Sequence, residues 1–282
     1  MFKFSVWVFI IGIAQRLLLN IAPTILGVFA DTTQIAIFSI GMALEAYTWT
    51  FANALNGLFL PKVARLSFAN QSREQIHELM IRVGRVQLLI VGFIITGIVV
   101  LGKSFILLWM GDKFANSYIV AVCLIVPGII TLTQEIADLL LFIENEIRYR
   151  AILFISASGV SAITGILLAP HFGAAGVALG VLMALLICHL VGMNIVFSKI
   201  LKLDIIGFFR QCHLKMLLPM ILTATVSFTL QYFNPISSWR MFVAQGTIYA
   251  IIFYVLMWLL SMNNYEKSLA KQLVIPVIDR LK

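Results

Sequence analysis

Long apolar runs constrain this chain more than any other feature. A helix needs about 20 predominantly apolar residues to cross a hydrocarbon core. Stretches of that kind lie near residues 4–29, 34–60, 84–101, 117–142, 151–169, 174–197, 216–233 and 241–261. Turn-forming residues separate several of them, as in Asp31-Thr32-Thr33, Pro170-His171-Phe172-Gly173 and Asn234-Pro235-Ile236-Ser237-Ser238. Inside lipid the backbone must satisfy its own hydrogen bonds, and the alternating strands of a barrel are absent from the pattern. The sequence therefore predicts an all-α integral membrane protein of about eight transmembrane helices.

Composition narrows the class. Hydrophobic residues make up 61% and charged residues only 11%, where a soluble domain carries about a quarter charged. Disordered chains and nucleic-acid binders need dense surface charge, so no nucleic acid is expected as a partner. The net charge of +8 instead sorts by loop. Sixteen basic residues, from Lys3 through Arg65, Arg85, Arg150 and Lys215 to Lys282, fall on one side. Three, Lys103, Lys113 and Arg240, fall on the other, and Arg16 lies inside a span. The positive-inside rule then places both termini in the cytoplasm. Cys123, Cys188 and Cys212 lack CxxC spacing and read as small buried hydrophobes. The first apolar stretch is too long for a signal-peptide core and reads as a first spanning helix.

The loops divide the chain into a six-helix lobe (1–198), a linker (199–215), a terminal helix pair (216–261) and a tail (262–282). The linker interleaves Leu201, Leu203, Ile205 and Phe208 with Lys202 and Arg210. The tail does likewise with Leu273, Val274 and Val277. Both are predicted to lie as amphipathic helices in the inner headgroup region, with membrane lipids as partners. Between Lys103 and Ser117 an interfacial elbow is expected, anchored by Trp109.

Ionisable residues inside the membrane are costly and so are functional candidates. Arg16 falls near the middle of the first span, and Asn20 shares its helical face. Glu45 falls near the middle of the second, followed by Asn53 and Asn56. Antiparallel neighbours would bring Arg16 and Glu45 to similar depth, as a packing ion pair or as the lining of a hydrophilic cavity. Glu135 and Asp138 are i,i+3 on the fourth span, either interfacial or available for ion coupling. His189 reads as a hydrogen-bonded packing residue. No Walker loop, GxSxG, HExxH or acidic loop cluster occurs, so no enzyme chemistry, metal or cofactor is expected.

The order of several motifs resembles a known family. Ile37-Phe38-Ser39-Ile40-Gly41 leads into a polar-striped helix ending Leu60-Pro61-Lys62-Val63-Ala64-Arg65. Leu108-Trp109-Met110-Gly111-Asp112-Lys113-Phe114 follows, then Glu144-Asn145-Glu146-Ile147-Arg148, then Ala169-Pro170-His171-Phe172-Gly173-Ala174-Ala175-Gly176-Val177-Ala178. This succession, from about Trp7 to Tyr254, resembles polysaccharide and O-antigen flippases of the multidrug/oligosaccharidyl-lipid/polysaccharide exporter superfamily. Such proteins have twelve or fourteen helices in two lobes, so this chain looks like the second lobe plus a terminal pair. The resemblance implies that an undecaprenyl-pyrophosphate-linked oligosaccharide is flipped across the cell inner membrane by alternating access. A second copy or a separately encoded first lobe would complete the machine. It also implies a basic cavity residue for the pyrophosphate, a role open to Arg16, with Asn20, Asn53 and Asn56 beside it. Glu45, Glu135 and Asp138 would then couple an ion. A truncated non-transporting fragment, an interaction subunit and a membrane-embedded polymerase or transferase are the alternatives.

Overall fold

A computed structural model of the chain describes residues 2–56 and 73–270, with side chains described over 4–51 and 73–270. Among them the secondary structure is helical, with no strand. We number the long helices α1 (Phe2–Phe29), α2 (Thr32–Asn56), α3 (Arg73–Met110) and α4 (Ser117–Ile143). Then follow α5 (residues 148–172), α6 (residues 174–199), α7 (Ile205–Phe233) and α8 (Trp239–Leu260).

Six helical stretches among the described residues are long and apolar enough to cross a membrane. One of them, Arg148–Lys199, runs for 52 residues and is two legs, α5 and α6, joined at Gly173. Gly173 has φ +54°, a backbone state that side-chained residues rarely adopt. The helix runs straight through Pro170 and reverses only there. Just past the turn the Ala174 N–H donates to Gln34 Oε1 at 2.9 Å, which pins the hairpin to the start of α2. α2 is more polar than α1, with Thr32, Gln34, Ser39, Glu45, Thr48 and Thr50 along its 25 residues. Six apolar stretches thus stand where eight separate spans were expected, one of them folded back on itself.

The turns gather at two opposite ends. At one end Phe105 packs on Trp239 and Phe242, beside the α3–α4 elbow at Gly111. At the other, Arg73 pairs with Glu144 at 2.6 Å, and Phe4 meets Phe142 ring to ring at 4.9 Å. Here α3 corrects the expected loop. Its 38 residues reach about 57 Å, so the helix continues beyond the apolar run at both ends. Arg73, Arg82 and Arg85, assigned to a loop, are helical.

Two cores share the interior. One joins α1, α2, α5 and α6 to the first half of α4, through Leu26, Phe38, Leu124, Phe154 and Val177. The other joins α3, α7, α8 and the end of α6 to the second half of α4, through Met80, Ile136, Phe197, Phe208, Met216 and Phe253. The segment after α6 departs from expectation. From Ile205 on it is helical and continuous with α7. Its apolar residues Leu201, Leu203, Ile205 and Phe208 are buried in the second core, while Ile206 is 82% exposed. Gly84 allows this approach. A Cβ there would stand 2.9 Å from both the Phe208 ring and the Thr133 carbonyl oxygen. The tail residues 271–282 lie outside the described part.

Candidate functional site

The polar residues of α1 and α2 sort onto two kinds of face. On α1, Gly12, Arg16, Asn20 and Gly27 share one side at helical spacing, and all four are exposed. Asn20 Nδ2 donates to the Arg16 carbonyl at 2.9 Å, while the Arg16 side chain has no ion-pair partner among the described residues. On α2 the exposed residues past the first turn are Ser39, Ala46, Tyr47, Thr50 and Phe51. The Ser39 and Thr50 hydroxyls donate to carbonyls four residues back, at 2.8 Å each. Neighbouring helices therefore each leave polar groups uncovered, with Phe9 on α1 and Tyr47 and Phe51 on α2 exposed beside them.

The inner faces enclose a cavity of about 390 Å³. It lies among α1, α2, α4, α5 and α6, with Leu18, Leu124, Pro127 and Phe154 as its apolar walls. Gln15, Glu45, Trp49, Thr131 and His189 bring polar groups to it. Glu45 is 9% exposed, and the Trp49 indole one turn on donates to its carboxylate. His189 stands edge-on to the Phe154 ring at 5.3 Å. The guanidinium of Arg150 lies over the same ring at 5.5 Å, so the phenyl separates the cavity from a charged cluster.

That cluster is Glu135, Asp138 and Arg150. Asp138 is buried and pairs with Arg150 at 3.4 Å across the α4–α5 turn. The pair is loosely satisfied. Asp138 Oδ1 and Arg150 Nε find no hydrogen-bond partner among the described residues. Glu135 stands one turn away, half-buried and within range of both charges. Buried carboxylates arranged this way can take up a proton or a cation, and a loosely held guanidinium can exchange one anion for another.

The expected pairing of Arg16 with Glu45 does not form. Arg16 and Asn20 face outward, whereas Glu45 faces the interior cavity. Asp138 instead takes Arg150, which loop counting had put among solvated charges. The two are equidistant from the turn near residue 144, and the register of that helical hairpin was the available signal. Gln15, Trp49 and Thr131 carried no comparable signal, being ordinary residues of apolar helices. His189 was read as a packing residue and does pack on Phe154, but it also lines the cavity. Asn53 and Asn56 belong to α2, and their side chains lie outside the described part.

Comparison with known proteins adds one finding. No curated protein and no solved structure matches the chain. Residues 1–119 match the model of a family described as polysaccharide biosynthesis protein. That stretch holds α1 to α3, and with them Arg16, Asn20 and Glu45, while Asp138, Arg150 and His189 lie beyond it. The chain is thus a multi-pass helical membrane protein whose first 119 residues are similar to a family of polysaccharide biosynthesis proteins.

Proposed function

We propose that the chain translocates a lipid-linked oligosaccharide or polysaccharide precursor, of the undecaprenyl-pyrophosphate type, across the cell inner membrane by alternating access. On this reading it is a transporter and not an enzyme, and it works with a second copy or a separate N-terminal lobe. The observation that carries it is the exposed Arg16–Asn20 face in the middle of α1. An arginine at mid-membrane costs about 2.5–3.5 kcal/mol even on insertion scales, so that face belongs against a polar passage and not against lipid. A guanidinium is the side chain best suited to hold phosphate oxygens two at a time. Asn20, with Asn53 and Asn56 further along α2, would receive sugar hydroxyls. Glu45, Glu135 and Asp138 supply the carboxylates for ion coupling.

The test is complementation of a strain lacking the corresponding exporter. Arg16→Ala should lower surface polymer at least about tenfold, the equivalent of about 1.4 kcal/mol, at unchanged abundance of the protein. Arg16→Lys should keep part of the activity, because it retains the charge and loses the planar fork. Wild-type export by Arg16→Ala would remove the proposed role of this face.

A further inference from the structure

The middle of α4 is irregular, and two neighbouring helices are irregular beside it. The α-helix stops at Ile125 and is interrupted at Pro127, and a 3₁₀ turn runs from Leu132 to Gln134. Across from it, α6 is π-helical over Leu186–Met193 and α7 over Arg210–Leu214. Consecutive residues of the 3₁₀ turn reach one of these segments each. Gln134 Nε2 donates to Asn194 Oδ1 at 2.6 Å, just past the first π segment. Thr133 Oγ1 meets His213 Nε2 in the second at 3.2 Å. The threonine hydroxyl already donates to the Ile129 carbonyl at 2.8 Å, so the histidine is the donor of that contact.

Within a membrane a broken helix is tolerated only where other donors satisfy the freed carbonyls. Side chains do that in this layer. Asn194 Nδ2 donates to the His189 and Leu190 carbonyls at 3.0 and 2.9 Å. Hydrogen bonds of this kind can be exchanged for backbone ones at little net cost, which gives the layer alternative arrangements. Unused capacity remains as well, since Gln134 Oε1 and His213 Nδ1 are buried without a hydrogen-bond partner among the described residues. The layer also falls between the two large cores. Before it Val120, Cys123 and Leu124 pack with α1, α2, α5 and α6, and after it Ile136, Ala137 and Leu140 pack with α3, α7, α8 and the end of α6. Ala121, Ile125 and Leu132 meet Val91 and Ile95 of α3.

Mid-helix 3₁₀ turns and π segments often mark hinges. We infer that residues 126–134 of α4 form a hinge between the two halves of the bundle, with Gln134–Asn194 and Thr133–His213 pinning it to the π segments of α6 and α7. Pro127, Gly128 and Thr131 of the hinge line the cavity, so bending there would reshape the space around Glu45. The consequence for transport rests on the proposed function, whereas the hinge itself does not.

Hydrogen–deuterium exchange of the protein in lipid nanodiscs reads the hinge without transport. Residues 126–134 should exchange about tenfold or more faster than 117–125 and 136–143. Gln134→Leu touches only the α6 pin, yet it should raise exchange at 210–214 as well as at 186–194. Thr133→Val, a change of nearly the same shape, should do the converse. Changes confined to the directly unpinned segment in both variants would overturn the coupled hinge, as would uniform protection along α4. In cells, Gln134→Cys with Asn194→Cys, joined by a short bis-methanethiosulfonate linker, should stop export until the linker is reduced. Full export by the linked protein would overturn the role of the hinge in transport. Unchanged exchange coupling in the two single variants would overturn the hinge even if the linked protein lost export.

Discussion

In the half of the bundle built on α3, α7 and α8, Arg85 is 4% exposed and fully engaged. Its Nε and Nη2 hold both oxygens of Glu266, and Nη1 and Nη2 reach the Gln211 and Ser261 carbonyls at 2.7 Å each. Glu266 in turn exchanges hydrogen bonds with Asn263 at 2.9 Å in both directions, capping the helical stretch that begins at Asn264. In the other half Arg16 is exposed and unpaired among the described residues, and Arg150 shares one loose contact with Asp138. The residue type is the same and the outcome is opposite. Where the fold supplies an acceptor for each N–H direction, the guanidinium becomes a fixed strut. Where it supplies none, the charge stays available to a ligand.

Arg85→Ala tests the fixed half most severely. It would leave Glu266 buried without its partner, lowering stability by about 3–5 kcal/mol in thermal unfolding of the detergent-solubilised protein. Replacing both partners, as Arg85→Met with Glu266→Leu, should recover much of that loss, since an apolar pair has no charge to strand. A double variant as unstable as Arg85→Ala would refute the strut. Gly173→Ala should come next, at about 1–3 kcal/mol, because its positive φ is strained for any side chain and a Cβ would strike Gln34. Glu144→Gln breaks an ion pair whose side chains are 40% and 24% exposed, and should cost at most about 1 kcal/mol. Arg16→Ala should change stability least, within about 0.5 kcal/mol, while removing export. A large loss of stability there would erase the contrast between the halves, because Arg16 would then have a structural partner.

Much of the topology was legible from the order of apolar runs. The turn residues at Asp31, Gly111, Gly173 and Asn234 stand where the chain reverses, because glycine, asparagine and aspartate tolerate backbone states that end a helix. Helix lengths were less legible. Hydropathy sees where lipid begins and ends, so it cut α3 at residues 84 and 101 and missed the polar turns through which the helix continues. The linker misled for a related reason. An alternation of Leu201, Leu203 and Phe208 with basic residues fits an interfacial helix, but only Gly84 and its neighbours reveal that a protein groove is there to take them. Of the candidate residues, Arg16, Asn20, Glu45, Glu135 and Asp138 stood out by being polar within apolar runs. Which of them face outward depended on helix rotation, and Arg150 emerged only through the hairpin that sets it against Asp138.

By itself the sequence determined that this chain is a bundle of membrane-crossing helices with sixteen of its twenty Lys and Arg residues sorted to one side. That follows from transfer free energies, which act residue by residue and need no partner. Tertiary structure alone decided which arginine is buried and which is left open, and where a cavity forms. Those outcomes depend on pairs of atoms from distant segments, such as Arg85 with Glu266 and Gln134 with Asn194, whose meeting no single helix encodes.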